Sequence, residues 1–404
     1  MSDLPPLVTT ADQLAAFAAE ARAGGRLAID TEFVWERTYR PMLGVVQAAT
    51  DKSVAVIDAV ALRDLSPLFP LLGDPGVPVV LHGGGQDLDI FARLMGTPVR
   101  GVVDTQVVGA FLGYGLQVGL IMLLERVLKV RIKKDQTYTD WMRRPLKPEQ
   151  IAYAREDVLH LLPLHDRLRA DLEKRGRTAW VDEELRTLED AGRYADLPDE
   201  ERYRTVKGWQ RYGARELAVL RELAAWRERS AARANIRPNF IANDIVLTSL
   251  AGRPVKSVEE LRQVRGLSAG TVDRHARGIL EAIGAGLACP PERCPAAPPR
   301  ERRKGPPPGL TALLRAAVQA VAEREDIAPE VIASGRDIDA LAAYAMVGGG
   351  DLDDVAVTRG WRRRLVGETL LAIARGELAM RYDAGRREVV ADAVPGVERV
   401  TPRA

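Results

Sequence analysis

The spacing of apolar positions changes character once along the chain. Up to about residue 175, strand-like and helix-like runs alternate. Thr10-Ala11-Asp12-Gln13-Leu14 opens a helical spacing that continues through Ala21, with Thr10 in the N-cap position. Arg26–Val34, Gly44–Ala49 and Ser53–Asp58 are short apolar runs bounded by turn residues, which predicts three strands joined as a meander. Val77–His82 predicts a fourth strand. Gly83-Gly84-Gly85 breaks the chain there, and Gln86–Met95 returns to helical spacing. Val99–Val103 predicts a fifth strand, after which Thr105–Leu112, Leu120–Val130 and Pro148–Lys174 predict helices. This order predicts an α/β domain, a mixed sheet flanked by helices.

From about Ala214 the strand signal disappears. Arg215–Ala232 predicts a long helix, followed by shorter ones at Asp244–Leu250, Ser257–Gln263 and Ala269–Gly284. Residues 289–308 hold eight prolines in 20 positions, which predicts an extended linker. A second helical block starts near Leu310. It shares a plan with the first: a long helix, a turn with Ile-x-Pro (Ile236-Arg237-Pro238, Ile327-Ala328-Pro329), then short helices. That reads as a degenerate duplication with a period near 95 residues. The expected organisation is therefore an α/β domain over 1–205, a helical domain over 206–288, the linker 289–308, a second helical domain over 309–382 and a tail over 383–404.

Net charge is only +2, from 58 Lys plus Arg against 56 Asp plus Glu, but it is unevenly spread. Residues 1–201 carry 24 basic and 31 acidic side chains, whereas 202–280 carry 16 basic and seven acidic. Acidic clusters suit metal ions, and basic surfaces suit phosphates. No stretch approaches the roughly 20 apolar residues of a membrane helix, so no membrane span is expected. The start, MSDLPPLVTT, lacks the basic and apolar regions of a secretory signal. Two cysteines build no disulfide framework, and a cytoplasmic location is the expectation.

Asp30 and Glu32 stand two apart on the first strong strand, so both carboxylates emerge on one face. Ile29 and Phe33 mark that strand as buried, and buried neighbouring carboxylates repel unless a cation joins them. Asp87 falls in the first turn of the helix after the glycine run, where the helix dipole tolerates an anion; alone it reads as an ordinary first-turn acid. Tyr153 and Asp157 are four apart on a helix and share a face; alone they read as a tyrosine packed on its own helix. The glycine run lacks the Lys-Ser/Thr of a Walker motif, which argues against an NTP-driven motor. His82, His160, His165 and His275, with Cys289 and Cys294, make no zinc constellation.

Taken together, Asp30/Glu32, Asp87 and Tyr153-x-x-x-Asp157 resemble the three exonuclease motifs of the DEDD superfamily, in its tyrosine branch. Within it, Asp30-Thr31-Glu32-Phe33, Thr38–Leu43 with Gln47, His82–Leu88, Asp104-Thr105-Gln106 and Thr139–Leu146 look like the ribonuclease D family. Asn239-Phe240-Ile241 and Val264-Arg265-Gly266-Leu267 look like an HRDC domain, a small nucleic-acid-binding bundle. The second block is similar more faintly, departing at Gly348-Gly349-Gly350 and the acidic stretch Asp351–Asp354. The resemblance implies a ribonuclease H-like α/β exonuclease domain followed by two all-α HRDC-like helical bundles.

It also implies chemistry. Asp30, Glu32, Asp87 and Asp157 would hold two divalent ions, Mg²⁺ or Mn²⁺ given the all-oxygen donor set. Asp30 would bridge them, and Tyr153, with an ordinary phenol pKa near 10, would orient the attacking water rather than act as a base. The expected activity is 3′→5′ removal of nucleoside 5′-monophosphates from the ends of tRNA precursors and other structured RNAs. His82 and Gln47, together with Arg215, Arg237, Lys256, Arg265 and Arg274 of the basic block, are the expected substrate contacts. A monomer with no protein partner is expected. A DNA 3′→5′ exonuclease with the same site, or an inactive nucleic-acid-binding scaffold, remains the alternative.

Overall fold

The structure is a computed structural model that describes residues 4–132, 139–297, 305–347, 352 and 355–395 of the chain. Six strands form one mixed sheet in the order β1-β4-β3-β2-β5-β6. They are β1 (Leu7–Val8), β2 (Leu27–Val34), β3 (Met42–Ala49), β4 (Val54–Asp58), β5 (Val79–Leu81) and β6 (Val102–Asp104). The predicted meander is β2-β3-β4, paired antiparallel, while β1, β5 and β6 add in parallel. The two-residue β1 is too short to leave a periodic signal.

Alternation along the strands sets two faces. Leu27, Ile29, Val46, Ala48 and Ile57 face a core closed by the helices Ala11–Gly24 and Gly85–Met95. The first of these helices begins in the capping box predicted at Thr10, whose side chain accepts from the Gln13 N–H. Ala28, Val45, Ala49 and Val56 face the other way, under Ala154, Val158 and Leu161. Asp30 and Glu32 share the parity of Ala28, so they emerge beneath the helix that carries Ala154.

That helix is not the single long one expected over Pro148–Lys174. It is two, Pro148–Leu159 and Leu161–Lys174, separated at His160. Pro163 accounts for the break: it has no N–H for the Leu159 carbonyl, and its ring crowds that carbonyl.

The first helical block packs Ala214–Ala234, Asp244–Gly252, Val258–Arg262 and Ala269–Leu287 around its own core of Leu217, Leu220, Leu223, Val246, Leu261 and Ile279. In the second, Pro308–Glu325, Gly335–Val347 and Glu368–Ala374 share one core with helices of the α/β domain. Trp361 is its centre, 5.2 Å from Trp180 in a stack and 5.1 Å edge-on from Phe111. The shared plan is visible in the long helices. Each ends on a left-handed residue, Asn235 (φ 48°) or Asp326 (φ 49°), and a proline-led short helix follows, at Pro238–Ile241 or Pro329–Ile332. The segment expected as a tail instead contains a strand. Leu378–Asp383 and Glu388–Ala393 pair as an antiparallel hairpin, and alternating side chains on a two-stranded ribbon gave too weak a pattern to read. Gly348–Gly350, Asp351, Asp353 and Asp354 lie outside the described residues.

Candidate active site

Asp30 and Glu32 project from the middle of β2, opposite Gln47 and Val45 of β3. β5 pairs with β2 only at Leu27 and Ala28. Past that point the chain turns through Gly83 and Gly84 into the helix Gly85–Met95, and Asp87 takes the vacated place beside β2. There the Thr31 hydroxyl donates to Asp87 Oδ1, and a Thr31 backbone bond also holds that carboxylate. From above, the helix Pro148–Leu159 contributes Tyr153 and Asp157, whose side chains are hydrogen-bonded to each other. The structure thus brings together all five residues expected at the centre.

Their electrostatics follow from crowding. Burial, then the Asp87, Asp157 and Glu32 carboxylates, push the Asp30 carboxyl well above the usual carboxylate range. Burial raises Asp87 as well, against the hydrogen bonds from Thr31. Burial and the carboxylates of Asp157, Glu32 and Asp30 push the Tyr153 phenol upward, so it stays protonated.

Neighbouring contacts hold these groups in place. Asp104 ends β6 and accepts from the backbone N–H groups of Gly83 (2.9 Å), Gly84 (3.2 Å) and Gln106 (2.9 Å). The glycine run therefore serves a carboxylate within the protein, not a phosphate, and it sets the turn that delivers Asp87. Behind Tyr153 lies Trp141, 6.0 Å away between ring centroids. The segment bearing Trp141 is pinned by Arg144, which binds the buried Asp58 carboxylate through Nε (2.6 Å) and Nη2 (2.7 Å). Gly44 lets this segment close on β3, since a Cβ there would lie 2.6 Å from the Trp141 carbonyl oxygen. Asp104 and Arg144 belong to blocks noted in the sequence, but nothing in their spacing assigns them these roles.

The donor set fits hard divalent cations. Four carboxylates converge with no nitrogen or sulfur ligand among them, and each raises the cost of ionising the next. Gln47 adds a second observation. It is fully buried, faces the same way as Asp30, and neither carboxamide atom has a hydrogen-bond partner among the described residues. An unsatisfied buried amide beside a carboxylate cluster suits a site completed by a hydrated ion. Among the described residues, no group of three or more potential ligands is already gathered at one point.

The expected substrate contacts divide. Gln47 has no surface to offer a polymer. His82 uses both ring nitrogens inside the protein, Nδ1 with Thr105 Oγ1 (2.9 Å) and Nε2 with the Val118 carbonyl (3.0 Å). Arg215 binds the Leu287 and Cys289 carbonyls, closing the first helical block. Arg237 donates to the Trp35 carbonyl (2.9 Å) and stands 5.3 Å over the Trp35 ring, joining that block to the segment leaving β2. His82, Arg215 and Arg237 are thus engaged within the protein, since a sequence shows that a side chain is polar, not which neighbour meets it. Lys256, Arg265 and Arg274 are exposed. Trp35, 41% exposed and three residues beyond Glu32, was not anticipated.

Comparison with known proteins agrees with this geometry. A family model described as 3′–5′ exonuclease matches residues 5–173, and one described as HRDC domain matches residues 216–283. Ribonuclease D of Granulibacter bethesdensis is 38% identical over 395 residues, 96% of each chain. Ribonuclease D of Acidiphilium cryptum is 38% identical over 389 residues, 96% of this chain and 97% of the other. The crystal structure of Escherichia coli RNase D, described as an exoribonuclease involved in structured RNA processing, superposes with a TM-score of 0.82 at 30% identity. That match covers 92% of this chain and 99% of the other.

Proposed function

The chain belongs to the ribonuclease D family of DEDD 3′–5′ exoribonucleases, and from that premise we propose how its site works and on what. In this reading Asp30, Glu32, Asp87 and Asp157 hold two divalent cations, Mg²⁺ or Mn²⁺, and the substrates are 3′ ends of tRNA precursors and other structured RNAs. The observation that carries it is the convergence of the four carboxylates at Asp30, with Tyr153 hydrogen-bonded to Asp157.

Bound divalent ions would supply a water of lowered pKa and neutralise charge on the phosphate. The chain supplies placement. Asp30 lies among the other three acids and is the one suited to bridge. Tyr153 stays protonated and gives its proton to a hydrogen bond with Asp157. Its oxygen is then left to accept from the attacking water, fixing that water's direction. Attack at the last phosphodiester breaks the bond from phosphorus to the 3′ oxygen. The terminal residue leaves as a nucleoside 5′-monophosphate, and the shortened RNA keeps a 3′-hydroxyl.

The test is a matched digestion of a tRNA precursor with a 3′ extension, an unstructured RNA and a DNA of the same sequence, each with Mg²⁺ or Mn²⁺. Trimming of the precursor to its stem in preference to the DNA supports the reading. Equal attack on DNA would replace the substrate while keeping the site. The protein is expected to be a monomer by light scattering.

A further inference from the structure

The chain's two cysteines fall where the first helical block ends and the proline-rich linker begins. Cys289 follows the helix Ala269–Leu287, and Cys294 follows the short turn Pro291–Arg293. That turn folds the chain back on itself. The Arg293 N–H donates to the Pro290 carbonyl (2.9 Å) and the Cys294 N–H to the Pro291 carbonyl (3.3 Å). Both thiols then meet one acceptor. Cys289 Sγ lies 3.6 Å and Cys294 Sγ 3.4 Å from the Pro290 carbonyl oxygen. The two side chains are also hydrogen-bonded to each other, so they are neighbours in space as well as in sequence.

The frame around the pair is clamped. Gly286 lets the helix Ala269–Leu287 close on the helix Ala214–Ala234, since a Cβ there would lie 2.4 Å from the Val219 Cα. From the latter helix, Arg215 donates to the Leu287 (3.0 Å) and Cys289 carbonyls, and Arg221 to the Arg293 carbonyl (3.0 Å). The chain is thus held just before and just after its turn. Arg221 also brings Nη2 to 3.6 Å from Cys289 Sγ, oriented by its pair with Glu222 (3.0 Å). A guanidinium there favours negative charge on that sulfur, the form in which a thiol attacks. Exposure separates the two sulfurs: Cys289 is buried, whereas Cys294 is half-buried and open to a small molecule.

We propose that Cys289 and Cys294 are a reversible modification site, a thiol–disulfide switch that ties the start of the linker to the end of the first helical block. Its reaction partner is a low-molecular-weight disulfide. The Cys294 sulfur attacks that S–S bond. A mixed disulfide forms, and one small thiol leaves with the proton from Cys294. The Cys289 sulfur then attacks the Cys294 sulfur. The intramolecular S–S bond forms, the mixed disulfide breaks, and the second small thiol leaves with the proton from Cys289. Both cysteine sulfurs are oxidised, and the small disulfide is reduced to two thiols. Burial and the hydrogen bond to Cys289 push the Cys294 thiol up, which slows the first exchange, so closure takes minutes to hours. In a reducing environment the pair rests open, and it closes as the share of small disulfide rises.

The test equilibrates the full-length protein with glutathione buffers of graded redox ratio, alkylates the remaining thiols and maps tryptic peptides by mass. Cleavage after Arg293 falls between the cysteines, so closure shows as two peptides joined by a disulfide. The equilibrium constant for closure should be about tenfold higher in the folded protein than in the same chain in urea, because the fold holds the thiols together. Cys289→Ser should accumulate a mixed disulfide with glutathione at Cys294. Cys294→Ser, whose remaining thiol is buried, should take up glutathione about tenfold more slowly. Closure no more favourable than in urea would overturn the proposal, as would glutathione on both wild-type cysteines without closure. Faster uptake by Cys294→Ser, at an unaltered melting temperature, would overturn it too.

Discussion

At the scale of single residues, Asp30 sets the behaviour of the site. Burial and three neighbouring carboxylates hold its carboxyl above the unfolded value, so folding takes up a proton there. In the absence of a divalent ion, stability therefore falls as pH rises from the ordinary carboxylate range through the raised native value. Asp30→Asn removes that titration. The melting temperature of the variant minus that of wild type, measured in EDTA, should grow between about pH 4 and pH 8, and Mn²⁺ should shrink it. A difference flat with pH would contradict the crowding. Tyr153 makes a second prediction. With its phenol pushed upward, Tyr153→Phe should slow turnover by about ten- to 100-fold while Mn²⁺ affinity by calorimetry stays within about twofold. Loss of Mn²⁺ binding in this variant would make Tyr153 part of the metal site instead. Asp30 and Glu32 were legible as a pair because the strand period places carboxylates two apart on one face, whereas Asp87, Tyr153 and Asp157 stood out only through the resemblance of the combined pattern to the exonuclease motifs. The inward placement of Gln47 and His82 was not legible, because no sequence signal names the neighbours that meet a polar side chain. Gln47 lies on the face that the helix Pro148–Leu159 covers, and His82 meets Thr105 and the Val118 carbonyl from distant segments.

At the scale of elements, the site depends on how segments are pinned to the sheet. Arg144 fastens the Trp141 segment to Asp58, a carboxylate whose side chain is 4% exposed. The Arg144 guanidinium and the backbone N–H groups of Ala61 and Val60 outweigh burial and hold Asp58 below the usual range. Arg144→Ala leaves that charge buried and unpaired, and denaturant titration should show a loss of about 3–5 kcal/mol. A loss below about 1 kcal/mol would mean that the ion pair is incidental. Element order and the meander were read correctly from alternation and turn residues. The break at His160 was not, although Pro163 announced it: apolar spacing continues across the break and masked the missing N–H. The hairpin Leu378–Asp383/Glu388–Ala393 was missed because none of its residues is buried, half are exposed, and its apolar alternation is weak.

At the scale of the whole molecule, the two helical blocks are attached differently. The first keeps its own core, against which Tyr39 of the α/β domain packs, and adds polar contacts: Tyr39 donates to Glu228, Arg229 pairs with Asp199, and Arg237 binds the Trp35 carbonyl. The second shares a core with the α/β domain, and Arg177 reaches across to the Glu325 carbonyl. The repeated Ile-x-Pro suggested a duplication, but a repeat says nothing about which block is fused and which is docked. Trp361 is fully buried in that shared core, so Trp361→Ala should cost about 3–5 kcal/mol and lower the stability of the catalytic domain with it. A calorimetric trace in which the catalytic transition stays put would show the blocks to be independent. The whole molecule is built to let the carboxylates at Asp30 remove nucleotides from RNA 3′ ends. The most direct test is digestion of a 5′-labelled RNA with Mn²⁺, by wild type and Asp30→Asn, resolved at single-nucleotide steps. A ladder shortening from the 3′ end, with 5′-monophosphates released and no ladder from the variant, is the predicted result. Internal cuts, loss from the 5′ end, or an Asp30→Asn enzyme as fast as wild type would contradict it.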